Sequence, residues 1–379
     1  MPKGGGSPSS TTNNYRDAQN PLSLSIIRLI EMVLKGDSEA ELHEQTEISI
    51  RLYSESAAKS VSSYRFLLKG AEQSTSSSTS AYLDLNRRPT DEYLVQLLKA
   101  IEVCRSELTT SFFCRLLLGF ITCCKPSASL IRQRRIIRLD GTNSLIRCFV
   151  SFISESVHGS SIDILCSLLI MLYVRDKKFC LKVRLVGLIM LFQKNLLLFA
   201  KDRKMPVLQL CCCCIHSVQN ARIFGKSKKF IKDLIAAITT CTDATVVARL
   251  AEILYVIIKF KNRPVMVILE SNDIFDILTK IFEKYLQQQF GATEQAVLEI
   301  CLFTVASLRN LIRLKRNRER FIAIGAIETF HSAISLISND KKLDNHTSVK
   351  PSVMTLQYLN IKGDSKQQHS DCELHEKQF

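Results

Sequence analysis

Apolar residues recur at every third or fourth position along most of this chain, which is the spacing of one face of an α-helix. In the first such stretch, NPLSLSIIRLIEMVLKG, Pro21 follows Asn20, and this pair suits the start of a helix. The same periodicity covers about residues 40–70 and continues from 91 to about 338. No stretch alternates apolar and polar positions as a half-buried strand does, so the pattern predicts an all-α chain.

The polar stretches around these helical patterns predict the domain organisation. The first residues are rich in Gly, Ser, Thr and Asn, the stretch STSSSTS has the composition of a linker, and the C-terminal segment is polar. We predict a disordered segment at 1–20, N-terminal helices at 21–73, a linker at 74–90, armadillo-like helical repeats at 91–338 and a polar tail at 339–379.

Within the body, one layout recurs: a polar or basic start, a short apolar helix, a break, and a second apolar helix, with a longer apolar helix before most units. The breaks fall 46, 41, 44 and 53 residues apart, at Gly141, Gly187, Lys228, Asn272 and Gly325. Three helices in about 40–47 residues is the armadillo and HEAT period. Since one unit cannot bury its apolar faces alone, the units stack. The predicted fold is an armadillo/HEAT-like right-handed α-solenoid, with an irregular helical bundle as the alternative.

The repeat register also predicts individual positions. Asn310 lies seven residues before the start of the last unit, where armadillo third helices often carry a groove asparagine. The same count gives Cys213 and Tyr255 in the two preceding units, so a regular asparagine ladder is absent. Five side chains on the apolar faces are expected to be buried: Leu234, Ile253, Ile257, Leu278 and Leu302.

The stretch LQLCCCCIHSV raises the question of a metal site. Successive residues of a helix point about 100° apart, so four consecutive thiols cannot close one tetrahedral site. Cys211 and Cys214 share an apolar face and are predicted to be packing residues, whereas His216 points elsewhere. A Cys-x-x-Cys pair with a distant ligand is the alternative. The apolar neighbours on the shared face are Val207, Ile215 and Val218.

The N-terminus MPKGGGSPSSTTNN lacks the apolar core of a signal peptide, and no uninterrupted apolar run reaches the roughly 18 residues of a membrane helix. We therefore expect a cytoplasmic or nuclear protein without a membrane partner. In those compartments thiols stay reduced, so the 14 cysteines are expected to act as small apolar residues rather than as disulfides.

Positive charge is concentrated in one segment. The formal net charge is +15, and residues 129–338 hold 31 Lys and Arg against 16 Asp and Glu, whereas the segments on either side are neutral. The basic residues cluster in RQRRIIR, KSKK, KFKNR and RLKRNRER, three of them near the starts of units. Two interpretations stay open: a solvated basic edge, or a site that holds an acidic partner by salt-sensitive attraction.

The densest cluster supplies the candidate residues for an acidic partner: Arg313, Lys315, Arg316, Arg318 and Arg320. Nucleic acid is disfavoured, because the clusters lack interleaved aromatic residues for base stacking and the chain has no Trp. Nuclear import is a second, weaker interpretation of RLKRNRER.

The sequence contains no recognisable catalytic motif. No histidine begins a His-x-x-Glu motif, and Gly-x-Ser-x-Gly is absent. The stretch NARIFGKS nearly matches a phosphate-binding loop, but Asn220 replaces the first Gly and no strand precedes it. We therefore predict no catalytic residue, no bound cofactor and no metal in this chain, and interpret Lys226 as a solvated lysine at a helix junction.

The stretch from Asp176 to Ile238 resembles the armadillo-like N-terminal region of the cytosolic carboxypeptidases (tubulin deglutamylases), in particular the ATP/GTP-binding protein 1-like branch. The matching features are DKKF, the stretch VRLVG that ends at Gly187, KNL and PVLQL. The resemblance runs from about residue 91 to 338 and is strongest over 175–240. It implies a helical module belonging to enzymes that use zinc, held by His-x-x-Glu and a distant His, to remove glutamates from tubulin and other proteins.

No zinc ligand of that family can be placed on this chain, which ends where the catalytic region would begin. The resemblance therefore implies a truncated or degenerate member. Three hypotheses follow. The chain is a non-catalytic solenoid module engaging acidic tails such as those of tubulin, or the N-terminal part of an active zinc metallocarboxypeptidase, or an unrelated armadillo scaffold.

Overall fold

The structure is a computed structural model that describes residues 21–68, 90–122, 125–154, 160–260, 263–286, 294–313 and 315–323. These residues form 17 α-helices and no strand, which confirms the predicted all-α, helical-repeat fold class. The predictions for 1–20, for 339–379 and for the linker apart from Thr90 lie outside the described residues. The helices are α1 (Pro21–Lys35), α2 (Glu39–Leu68), α3 (Asp91–Val103), α4 (Glu107–Thr122), α5 (Pro126–Arg138), α6 (Gly141–Ser154), α7 (Ser160–Tyr173), α8 (Phe179–Val186), α9 (Leu188–Lys201), α10 (Met205–Ile215), α11 (Val218–Lys226), α12 (Lys228–Thr240), α13 (Ala244–Lys259), α14 (Arg263–Glu270), α15 (Ile274–Leu286), α16 (Glu294–Ile312) and α17 (Lys315–Ala323).

The chain forms two compact units, one ending at Leu191 and the other beginning at Phe192. In the first unit, α1 packs on α2 and α3, α3 packs on α6, and α4 packs on α7. Helix α1 begins at Pro21, as its sequence predicts. Its inner face buries five apolar side chains, whose removal from water drives this packing: Leu22, Ile26, Leu29, Ile30 and Val33.

In the second unit, helices recur in the order short, medium, long. The short helices α11 and α14 pack together. The third helices of successive repeats, α10, α13 and α16, pack side by side in that order, and we call them the long helices although α10, with 11 residues, is shorter than the medium ones. The next short helix, α17, follows α16 and packs on it. Each long helix therefore buries apolar surface against its neighbours, as expected of stacked repeats.

The predicted breaks coincide with helix ends. Gly187 ends α8 with φ +86°, a conformation that residues with a Cβ adopt at a cost. Lys228 begins α12, directly after Ser227, whose hydroxyl accepts a hydrogen bond from the Phe230 amide at 3.3 Å. Gly141 begins α6, and Asn272 lies in the turn between α14 and α15. The fifth break, Gly325, lies outside the described residues.

Four of the five predicted core residues are buried, at 0–2% exposure: Leu234, Ile253, Ile257 and Leu278. The prediction for Leu302 is wrong. This side chain is only partly buried, because it lines a cleft between α13 and α16 instead of facing the core.

Helix α16 is long and apolar enough, over Gln295–Ile312, to cross a membrane by length and composition alone. More than half of that stretch is buried inside the protein, at 56%. A core helix of a stacked repeat has the same length and composition, and α16 packs along α13 and α15. The helices α8 and α9 pass the same test only as a pair, and they are bent by 79° at their junction.

Candidate functional site

The cysteine run lies on α10, and most of it is core. Cys211, Cys212 and Cys214 are buried, whereas Cys213 is half-buried. Burial raises the pKa of the Cys211 and Cys212 thiols, which favours the neutral form that packs in an apolar environment. The predicted packing role of Cys211 and Cys214 agrees with this burial. Among the described residues, no three His, Cys, Asp or Glu side chains are close enough to hold one metal ion.

One of the five side chains on that predicted face departs from the prediction. Val207 and Ile215 are buried with the cysteines, but Val218 is 40% exposed and begins the next helix. The prediction for Val218 was wrong because the chain turns at Ser217, which the helical register cannot reveal. The Nε2 atom of His216 lies 3.3 Å from Glu252 Oε1, and the same carboxylate also meets the Cys212 thiol, so His216 lies on the side of Cys212 rather than on the predicted face of Cys211 and Cys214.

The stretch NARIFGKS serves helix packing. Gly225 lies within α11, where an added Cβ would fall 2.4 Å from Val265 Cγ2 of α14. The glycine therefore lets two short helices approach each other. Lys226 is exposed at the helix end, as predicted.

A buried asparagine lies near the start of two of the short helices, α11 and α17. Asn220 Nδ2 donates to the Cys214 carbonyl at 2.8 Å, and Asn317 Nδ2 donates to the Leu311 carbonyl at 3.0 Å. In both, the acceptor lies six residues back, at the C-terminal end of a long helix, where carbonyls lack partners within the helix. Two of the unit starts identified in the sequence, Asn220 and Asn317, are thus capping positions, a role that sequence reasoning missed.

The first basic cluster, RQRRIIR on α5, is mostly engaged within the first unit. Asp91 accepts from Arg135 Nε at 2.5 Å and from Arg138 at 2.8 Å. Arg132 donates to the Phe120 carbonyl at 2.5 Å and lies over its ring at 4.8 Å. These arginines hold helices together. The number of basic residues in this stretch of sequence therefore overstates the positive charge that is available to a ligand.

The second cluster, KSKK, is different. Lys226, Lys228 and Lys229 are all exposed at the junction of α11 and α12, and none forms an ion pair with a described residue. We name these three residues the junction lysines. Of the third cluster, KFKNR, Lys259 is exposed, and the side chains of Lys261 and Arg263 lie outside the described residues.

The candidate cluster around α17 is divided. Arg313 is exposed, whereas Arg318 Nε donates to the Ile312 carbonyl at 3.0 Å and so caps α16. Arg320 pairs with Asp273 in the turn before α15. The side chains of Lys315 and Arg316 lie outside the described residues. Two of the five candidate residues thus also fasten α17 to the helices before it.

A chain of charges crosses the second unit's long helices near their middle. Arg249 of α13 pairs with Glu252 of the same helix at 2.5 Å and with Glu299 of α16, and Glu252 meets His216 beyond α10. Burial raises the pKa of the Glu252 carboxyl, but the hydrogen bond with His216 and the charge of Arg249 outweigh it, so the net pKa is lowered. These charges neutralise one another.

Further along the same two helices lies a cleft of about 330 Å³. The rings of Tyr255 and Phe303 face each other across it with centroids 5.7 Å apart. Lys259 Nζ lies 6.0 Å from the centroid of the Tyr255 ring. The full lining is Tyr255, Leu302, Phe303, Ala306, Arg309, Asn310 and Arg313.

The structure therefore brings Tyr255 and Asn310, two residues at equivalent repeat positions, into one cleft. Asn310 Nδ2 donates to the Ala306 carbonyl at 3.0 Å within its own helix. Sequence reasoning missed Arg309 as a member of a site, whereas Lys259 belongs to KFKNR, one of the predicted basic clusters.

The fold and this surface define a helical-repeat protein whose main surface chemistry is a set of charged side chains, with no metal cluster assembled among the residues described. A family model for CCP1-like N-terminal TPR repeats matches residues 51–355, and the chain belongs to this family. The predicted recognition of the N-terminal region of cytosolic carboxypeptidases is thereby confirmed. Comparison with curated proteins gives no match.

Proposed function

We propose that this chain is a non-catalytic interaction module that binds acidic, glutamate-rich protein tails in the cytoplasm. The observation that carries the proposal is the excess of 31 basic over 16 acidic residues within 129–338, part of which is exposed and without an ion pair among the described residues. Tubulin tails are the particular partner that the family resemblance favours.

Binding of such a partner does not require a shaped pocket. A flexible acidic tail can be held by several weak charge contacts, each worth about 0–1 kcal/mol at an exposed site. The attraction raises the association rate and weakens as salt screens it, over about 10 Å at 0.1 M. The candidate contacts remain Arg313, Lys315, Arg316, Arg318 and Arg320.

The contacts of Arg318 and Arg320 decide how this cluster should be tested. Replacing all five residues would also remove the cap of α16 and the link to Asp273, so lost binding could reflect lost structure. The variant Arg313→Gln/Lys315→Gln/Arg316→Gln tests binding while keeping these structural contacts. The variant Arg318→Gln/Arg320→Gln, made separately, removes the two residues that form them.

The experiment measures binding of the full chain to a glutamate-rich peptide and to a glutamine peptide of equal length, at low and moderate salt. We expect the glutamate peptide to bind more tightly, with an affinity that falls as salt rises, and the first triple variant to bind several-fold more weakly. Equal binding of the two peptides, or binding indifferent to salt, would exclude the proposed function.

A second candidate function is favoured by the family match itself: the N-terminal part of a zinc metallocarboxypeptidase that removes glutamates. The described residues do not supply the donor set for its zinc, because no three suitable side chains meet. That activity would need a catalytic region outside this sequence. An open reading frame downstream of Phe379 that encodes His-x-x-Glu would favour this second function.

A further inference from the structure

We propose that the cleft between α13 and α16 is the binding site for the acidic segment. The cleft binds this segment as an extended peptide, through carboxylates on alternate residues of the peptide. This inference rests on the proposed function and assigns it a place: Lys259, Arg309 and Arg313 as the carboxylate-binding residues, with Tyr255 and Phe303 as the apolar wall.

Charge is partitioned along these two helices. Arg249 meets Glu299 and, further on, Tyr255 meets Phe303, so α13 and α16 run in the same direction. On the N-terminal side of the aromatic pair, the charges of Arg249, Glu252 and Glu299 neutralise one another. On the C-terminal side of the aromatic pair, the charged residues along these two helices are Lys259, Arg309 and Arg313, which are all positive.

The two arginines that line the cleft, and Lys259 beside it, form no ion pair with a described residue. Arg309 is half-buried on the wall of the cleft, and Arg313 is exposed one helical turn further along. Lys259 faces the Tyr255 ring at 6.0 Å and the Phe260 ring at 5.6 Å, and neither ring carries a charge to neutralise it. Three positive charges around one cleft favour an anionic ligand, and the attraction to the half-buried Arg309 is strengthened by its reduced solvent exposure.

The spacing of the arginines selects the form of that ligand. Residues four apart on a helix have Cβ atoms about 5–6 Å apart. In an extended peptide, side chains on one face recur every second residue, at about 6.4–6.8 Å. Arg309 and Arg313 can therefore each meet one of two carboxylates at positions i and i+2, and Lys259 meets a third from the opposite wall.

The aromatic pair favours a peptide over single-stranded nucleic acid. Tyr255 and Phe303 are inclined by 34° and lie against each other, and Lys259 covers the Tyr255 ring. The two rings contact each other and Lys259 also lies over Tyr255, so these contacts compete with the open ring faces that base stacking requires. What remains accessible is an apolar wall for the methylene groups of glutamate side chains.

The test compares two variants that each remove three positive charges. The cleft variant is Lys259→Gln/Arg309→Gln/Arg313→Gln. The charge-matched control removes the junction lysines, as Lys226→Gln/Lys228→Gln/Lys229→Gln. A third variant, Ala306→Leu, fills the cleft without changing charge and keeps a good helix former. All three are made in the full chain, and thermal unfolding followed by circular dichroism verifies that each folds as the wild type does.

The probe is a peptide of alternating Glu and Ser, compared with a Gln and Ser peptide and with oligo(dT) of equal charge. We expect the cleft variant to bind the acidic peptide about ten-fold more weakly than the wild type, and the charge-matched control to lose affinity by a smaller factor. We expect Ala306→Leu to bind several-fold more weakly, with an unchanged salt dependence.

Each other outcome is decisive. Equal loss in the two triple variants, with Ala306→Leu unchanged, would mean that charge acts diffusely and would overturn the cleft while the proposed function stands. Wild-type chain that binds both peptides equally would overturn the proposed function and the cleft with it. Tighter binding of oligo(dT) than of the acidic peptide would overturn the choice of a peptide ligand.

Discussion

At the scale of single residues, the short helices are defined by side chains that the repeat pattern locates but does not explain. Gly225 is the clearest example. In an open helix, replacing Gly by Ala stabilises by about 0.5–1 kcal/mol. Here the new Cβ would lie 2.4 Å from Val265 Cγ2, on a β-branched side chain with little freedom to move.

We therefore expect Gly225→Ala to lower the free energy of unfolding by about 1–3 kcal/mol, the usual cost of overpacking. The second variant Val265→Ala should reduce that loss when both changes are combined, since it removes the atom in conflict. Denaturant unfolding of the wild type, both single variants and the double variant measures the coupling. A stabilised Gly225→Ala protein would show that the two helices are not held at this distance.

At the scale of elements, the three long helices of the second unit are joined by ionic contacts that respond to acid. The pKa of Glu252 is lowered in the folded chain. A carboxyl of this kind stabilises the fold above the pKa of the unfolded chain, and its contribution is lost as the pH falls toward the folded-state pKa.

We expect Glu252→Gln to lower the free energy of unfolding at pH 7 by about 1–3 kcal/mol, because Arg249 and His216 lose a charged partner. The difference from wild type should shrink as the pH falls from about 5 to about 3. Chemical denaturation across this range tests it, with the exposed Glu319→Gln as control. A difference that stays constant with pH would show that Glu252 acts by packing rather than by charge.

The elements themselves were largely predictable, because helix starts and breaks depend on local chemistry such as Pro21, Gly187 and Ser227. Contacts between elements were not. The sequence RQRRIIR suggests four arginines available to a ligand. In the structure, Arg135 and Arg138 are paired with Asp91, which lies 44 and 47 residues away. Leu302 was expected in the core for the same reason: apolar spacing identifies a helix face, but not which part of that face a neighbour leaves uncovered.

At the scale of the whole molecule, the chain is expected to bind without performing chemistry. We expect elemental analysis of the purified 379-residue chain to find no stoichiometric zinc, and incubation with polyglutamylated peptides to release no glutamate. The reason is the missing His-x-x-Glu motif and the divergent directions of the thiols on α10. One zinc per chain that disappears in Cys211→Ser/Cys214→Ser would refute this expectation.

The asparagine caps carry a consequence for how the protein is made. The hydrogen bonds of Asn220 and Asn317 each span six residues, so the end of a long helix is fixed by the next few residues to leave the ribosome. Local contacts of this kind form quickly, because little chain entropy is lost in closing the loop. We expect each repeat of the second unit to take shape while the following one is still being synthesised, with the preceding long helix as its template.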